Sequence, residues 1–151
     1  KKTEEKISQH KIQGQLIRNI NLKERHQIYL SGQYKKLFSK DYLENELFRI
    51  GGMESLRGVE ENSIISSEFM GAQAEYRFNL NNTSYIHSIT DYGLLQDEHN
   101  NKKINIWSLG VGIGMINNFG LFKLSIANPI QNGSKNKFDN TRIHIQLKTK
   151  F

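Results

Sequence analysis

The segment 141–151 alternates between two kinds of side chain along its whole length. One parity is mostly apolar and the other is polar or basic: Ile143, Ile145, Leu147, Thr149 and Phe151 against Arg142, His144, Gln146, Lys148 and Lys150. Successive side chains of a β-strand point to opposite faces of a sheet, so this pattern predicts a strand with one apolar and one basic face. Such a face requires either a protein core or lipid to cover it.

Six further segments share this period of two, and no segment has a convincing amphipathic-helix pattern. The seven strands are predicted near 10–21, 25–38, 66–80, 83–92, 103–117, 119–130 and 141–151. The fold class is therefore all-β and antiparallel. The alternation leaves two architectures open, a soluble sandwich or barrel with one polar face and a transmembrane β-barrel.

Composition does not separate these two architectures. The chain of 151 residues is 36% hydrophobic with a net charge of +6, and its mean hydropathy is −0.62, values that are typical of a basic soluble domain. A transmembrane strand, however, needs only about 9–11 residues, and only every second one faces lipid. No apolar run approaches the roughly 20 residues of a membrane helix, and no signal peptide is visible. The absence of cysteine excludes disulfide frameworks and thiolate zinc sites.

The lengths of the predicted connections favour the membrane barrel. Short turns are predicted at 21–24, 79–82 and 117–120, and long polar loops at about 39–65, 93–102 and 130–140. Bacterial barrels have short periplasmic turns and longer external loops. This alternation places the loop 39–65 outside the cell.

That loop contains a Gly51-Gly52 turn followed by Leu56-Arg57-Gly58. The segment 49–59 resembles the conserved extracellular loop of the outer-membrane insertase and transporter superfamily, which includes the BAM-complex barrel, the TAM barrel and the two-partner secretion transporters. The resemblance implies an outer-membrane barrel of sixteen strands whose loop folds inward and buries Arg57. The whole chain, 1–151, would be the C-terminal part of one barrel domain, with the other strands and any periplasmic POTRA domains preceding it.

A buried arginine needs acidic partners, because an unpaired charge inside a barrel costs several kcal/mol. Glu75 lies on the polar parity of the strand after the loop, and Asp91 is expected at the outer end of the next strand. Both resemble family motifs whose acidic residues contact the loop arginine. The second motif ends in Gly93, and Ile89 stands where the family usually has an aromatic residue.

Glycines and the last strand complete the candidate site. Gly58 is expected to let the loop approach the barrel wall closely, and Gly51 and Gly52 to shape its descending part. In the predicted strand 103–117, Gly110, Gly112 and Gly114 are expected to make room for the loop or to permit curvature. The strand 141–151 resembles the C-terminal signal that barrel-assembly machinery recognises, through the residues Ile143, Ile145, Leu147 and Phe151.

Other chemistry is not indicated. The chain has no nucleophile elbow, Ser55 has no base near it in sequence, and the five histidines lack metal-ligand spacing, so we expect no catalytic residues, cofactor or metal. The lysines are dispersed and no aromatic interleaving accompanies them, which argues against nucleic-acid binding. The resemblance implies an insertase that opens a lateral seam. Its partners would be outer-membrane lipid, unfolded outer-membrane protein clients and accessory periplasmic or lipoprotein subunits. A secretion transporter and a membrane anchor for a fused domain are the alternatives.

Overall fold

The computed structural model describes residues 9–39, 43–131 and 138–149. These form eight strands and one short 3-10 helix: β1 (His10–Lys23), β2 (His26–Phe38), β3 (Phe48–Ile50), β4 (Ile64–Asn79), β5 (Ser84–Asp97), β6 (Lys102–Asn117), β7 (Gly120–Gln131), the 3-10 helix (Phe138–Asn140) and β8 (Arg142–Thr149). Seven strands follow one antiparallel path, β1-β2-β4-β5-β6-β7-β8, and β3 pairs with β4. The all-β antiparallel prediction is confirmed.

The structure corrects the predicted connections at two places. The loop between β2 and β4 contains an eighth strand, β3, which pairs with Ile64–Ser66 at the start of β4. β5 continues five residues beyond the predicted end at residue 92. The predicted long loop 93–102 is therefore a four-residue turn at 98–101, and Asp91 lies near the middle of its strand instead of at its outer end. The alternation of buried and exposed residues continues past residue 92 through Gly93, Leu94 and Leu95.

The sheet has two chemically distinct faces. We call the face covered by the loop 43–63 the inner face, and the opposite one the outer face. On β8 the outer face exposes Ile143, Ile145 and Leu147, at 66%, 69% and 71%. The outer face of β6 is also apolar and exposed, and its large side chains are Trp107, Leu109, Val111 and Met115.

The apolar band of the outer face has the dimensions of a membrane-crossing strand. On β6 it runs from Trp107 to Met115, a span of nine residues, which matches the roughly 9–11 residues that a tilted strand needs. The rings of Trp107 and Tyr92 contact each other at a tilt of 46°, with centroids 4.6 Å apart, and His26 packs edge-on against Phe78 near the opposite end of the strands. Aromatic residues at both borders of an apolar band are typical of transmembrane barrels. No helix in the described part of the chain is long and apolar enough to span a membrane.

The glycines of β6 leave space for side chains of β5 and for the backbone of β7, and not for the loop. A side chain at Gly114 would overlap the ring of Tyr85, and one at Gly112 would overlap His87. One at Gly110 would overlap the backbone of β7. The expectation that these glycines make room for the inserted loop is wrong, because the space goes to β5 side chains and to close strand approach. The alternative, that they permit strand curvature, stays a prediction.

The core lies on the inner face, between the loop and the sheet. A single cluster of buried apolar residues joins the loop, β2, β3, β4, β5 and β6, and consists of Leu37, Phe48, Ile50, Leu56, Val59, Phe69, Leu95, Ile104 and Ile106. Burial of one such side chain contributes about 1.5–3 kcal/mol. This apolar cluster packs the loop onto the sheet. The polar contacts described below lie next to the cluster.

Because the outer face is predicted to contact lipid, a charge at the centre of its band should be costly. Val111→Arg in the intact protein should lower the free energy of unfolding in lipid vesicles by about 2–4 kcal/mol, whereas Asn118→Arg in the exposed β6–β7 turn should cost no more than about 1 kcal/mol. A denaturant titration that follows the electrophoretic shift of the folded barrel measures both. Equal effects of the two substitutions would contradict lipid contact at Val111.

Candidate functional site: the loop anchor

The tip of the loop is a turn that is closed by its own hydrogen bonds. The Gly52 N–H donates to the carbonyls of Leu56 and Val59, each at 3.1 Å, and the Leu56 N–H returns a bond to Gly52 at 3.0 Å. The Ser55 hydroxyl donates to the Gly51 carbonyl at 3.0 Å and accepts from the Gly51 N–H at 2.8 Å. Gly51 and Gly52 have φ angles of 124° and 89°, which residues with a side chain rarely adopt. Ser55 therefore shapes the turn.

Arg57 leaves this turn and enters the wall of the sheet, where it is 1% exposed. Three of its groups donate to the Asp91 carboxylate: Nε at 2.8 Å, Nη2 at 2.6 Å and the backbone N–H at 3.0 Å. Its Nη1 group donates to Glu75 Oε1. The guanidinium is therefore held in a fixed orientation between β4 and β5, with two charge-assisted bonds to one carboxylate.

Glu75 has other cations in contact with it. Lys123 of β7 donates to Glu75 Oε1 at 3.0 Å, and Arg77 donates to Oε2 at 2.6 Å. The Arg77 guanidinium also lies over the rings of Tyr29 and Tyr85, at 4.3 Å and 5.1 Å. Glu75 thus has three cationic partners, whereas Arg57 is the only cation that ion-pairs with Asp91 within residues 9–39, 43–131 and 138–149.

The electrostatics favour a charged arginine at this position. Burial by itself lowers the pKa of the Arg57 guanidinium, but the hydrogen bonds and charge of Asp91 and the charge of Glu75 outweigh burial and raise that pKa. Removing one member of a buried ion cluster costs about 3–5 kcal/mol, because it leaves an uncompensated charge. Arg57, Glu75, Asp91, Arg77 and Lys123 together are called the loop anchor below.

Leu56 and Gly93 form the apolar neighbour of the loop anchor. Leu56 is fully buried. A side chain added at Gly93 would lie 3.1 Å from one Leu56 methyl group and 3.3 Å from the ring of Phe69. Gly93 therefore leaves the space that Leu56 occupies.

Gly58 brings the loop backbone against β7 and β8. A side chain at Gly58 would lie 3.2 Å from the backbone of Ala127 and of Pro129, and its φ is 84°. The Gly58 N–H donates to His144 Nε2 of β8 at 2.9 Å. Close approach and a positive φ together explain why glycine occupies this position.

The chain matches the model of the Omp85 superfamily domain over residues 3–151. The chain belongs to the Omp85 superfamily. This is a family of outer-membrane β-barrels that insert proteins into the outer membrane or transport them across it. No curated protein matches the chain significantly.

In this Omp85-superfamily chain the structure brings together most of the residues that the sequence singled out. Arg57, Glu75 and Asp91 converge, Leu56 meets Gly93, and Gly51 and Gly52 close the turn, as given above. The apolar side chains Ile143, Ile145 and Leu147 lie away from this site on the outer face of β8, and Phe151 is outside the described residues. Whether these residues act as an anchor, an assembly signal or a seam stays a prediction.

Sequence reasoning missed three partners, Arg77, Lys123 and His144. Lys123 faces the inner side of β7, between Phe122 and Leu124, which face the outer side. This isolated charge was the available signal in the sequence. His144 had no signal of its own, because the polar parity of β8 also contains Arg142, Gln146 and Lys148. The contacts of Lys123 and His144 with Glu75 and Gly58 depend on strands far apart in sequence.

The unequal pairing of the two carboxylates gives a sharp prediction. Arg57→Ala should lower the free energy of unfolding of the intact protein by about 3–5 kcal/mol, because Asp91 loses its cation. Adding Asp91→Asn should recover part of this loss, and adding Glu75→Gln should not, because Arg77 and Lys123 still require the charge of Glu75. Denaturant titration of the three variants measures this. Recovery by Glu75→Gln and none by Asp91→Asn would contradict the assignment.

The glycine of the loop gives a second prediction. Gly58→Ala should destabilise the folded barrel by more than about 1 kcal/mol, because the residue has a positive φ and little space beside β7. Gly32→Ala is the matched control, because nothing lies within 4 Å of the added carbon there. The same titration measures both, and a neutral Gly58→Ala would show that the loop backbone does not rest on β7.

Proposed function

We propose that this chain is the part of an outer-membrane insertase barrel that contains the loop anchor and one side of a lateral seam. The seam strand is β8, and its partner is the first strand of the complete barrel. When the seam opens, the free edge of β8 templates an incoming client strand by β-augmentation.

The observation that supports this proposal most is the position of β8. It is one end of the described strand path and pairs with β7 from Arg142–Ala127 to Thr149–Gly120, and in the closed barrel its other edge would pair with the first strand. An unpaired strand edge presents a row of backbone donors and acceptors that can template another chain. The apolar outer face and polar inner face of β8 are the same two faces that a client strand needs in a membrane.

The loop anchor fits an insertase that works at the seam. The loop 43–63 covers the inner face with a buried apolar cluster and a buried ion cluster, and opening at the seam does not require this loop to move. Because the resemblance includes secretion transporters with the same loop, the choice between the two functions rests on the experiment below.

We propose that no chemical step or nucleotide is involved. The free energy comes from client folding, because each templated strand buries apolar surface in lipid and satisfies its backbone groups. Lipid and unfolded barrel proteins are then the partners. Accessory periplasmic or lipoprotein subunits would deliver the clients.

Depletion of the intact protein tests the proposal. Quantitative proteomics of the outer membrane should show a fall across many unrelated barrel proteins, and re-expression of the wild-type protein should restore them. Loss of one secreted protein with the other barrels unchanged would reject the insertase and favour the transporter. An unchanged outer membrane would favour a barrel that serves as a membrane anchor.

A further inference from the structure

The tip of the loop contacts β8 at three successive inner-face residues. His144 accepts a hydrogen bond from the Gly58 N–H at 2.9 Å. Gln146 and Lys148 both donate to Glu54 Oε1, at 2.5 Å and 2.7 Å. Residues 144, 146 and 148 span most of β8, so the loop follows this edge strand along its length.

The Glu54 contacts with β8 are far more exposed than the loop anchor, whereas the single hydrogen bond from Gly58 to His144 is buried. The side chains of Glu54 and Lys148 are 60% and 55% exposed, whereas those of Arg57, Glu75 and Asp91 are at most 2% exposed. Water and salt weaken exposed ion pairs, and buried ion clusters are costly to break. The link between the loop and β8 is therefore the weaker of the two.

The loop tip also forms hydrogen bonds with β2 and β4, which are strands of the same sheet far from β8. Gln33 of β2 donates to the Glu54 carbonyl, and Gln73 of β4 donates to the Met53 carbonyl at 3.2 Å. With the loop anchor on β4 and β5, these bonds hold the tip in place independently of β8. Loss of the contacts with β8 would leave the rest of the loop attached.

From this difference we infer that Glu54 and His144 are positioning residues that hold the edge strand β8 against the loop. When the seam opens, β8 separates from the loop at these contacts, and the loop anchor stays intact. The inference rests on the proposed function for the identity of the seam strand. Its test measures the mobility of β8 and not insertase activity.

Hydrogen exchange of the intact protein in lipid nanodiscs, read by mass spectrometry, tests the role of Glu54. Glu54→Lys should speed exchange of the peptide 142–149 by about two- to fivefold, the range of an exposed ion pair. The peptides of β4 and β5, 64–97, should keep their wild-type rates. Glu60→Lys is the matched control, because Glu60 is an exposed acidic residue of the same loop without an ion pair in the described chain.

Two further variants separate a specific contact from general disturbance. Glu54→Lys combined with Lys148→Glu restores the opposite charges and should return the 142–149 peptide to slow exchange. His144→Leu removes the acceptor for Gly58 and should speed exchange of the same peptide, whereas His144→Gln keeps an acceptor and should stay near wild type.

Two results would overturn the inference. Equal exchange of 142–149 in Glu54→Lys and Glu60→Lys would show that Glu54 does not hold β8. Faster exchange of 64–97 together with 142–149 would show that the loop leaves the wall with the strand. If 142–149 responds as expected but depletion removes a single secreted protein, the positioning role stands and the insertase proposal fails.

Discussion

The position of the loop depends on one buried charge. Arg57 enters a part of the inner face where water is excluded, so its guanidinium is tolerable only with carboxylates in contact. Asp91 provides three hydrogen bonds and Glu75 a fourth. The dependence is mutual, because Asp91 has no other ion-pair partner in the described parts of the chain. Neither the loop nor the middle of β5 can reach a low-energy state in the absence of the other.

Apolar burial and ion pairing both hold the loop on the sheet, and they contribute in different ways. The apolar cluster around Leu56, Phe69 and Ile106 supplies a non-directional attraction between loop and sheet. It would tolerate small shifts of the loop. The bidentate bond of Arg57 with Asp91 is directional and fixes the orientation of the loop on the sheet. Energy of association and precision of placement thus come from neighbouring but different groups.

The sequence predicted the strands well where alternation was unbroken, but it missed the end of one strand and the short strand in the loop. β8, β6 and β4 were recognisable from their two faces. The predicted strand 83–92 ended five residues too early, and Gly93, just beyond that predicted end, lies within β5 and leaves space for Leu56. β3 has three residues and no detectable period, so only its pairing with β4 defines it. The convergence of Arg57 with Glu75 and Asp91 followed from family resemblance, and Lys123 was missed because its contact spans four strands.

The loop anchor is sensitive to the register of the whole sheet. Glu75 and Lys123 are 48 residues apart and meet only because β4, β5, β6 and β7 pair in one register. A one-residue slip at any of these ladders would turn one side chain to the outer face. The register of β5 and β8 must also be correct, because Arg57 contacts Asp91 of β5 and Gly58 contacts His144 of β8. A correctly seated loop is therefore compatible with one strand arrangement, and alternative registers would each leave a buried charge without its partner.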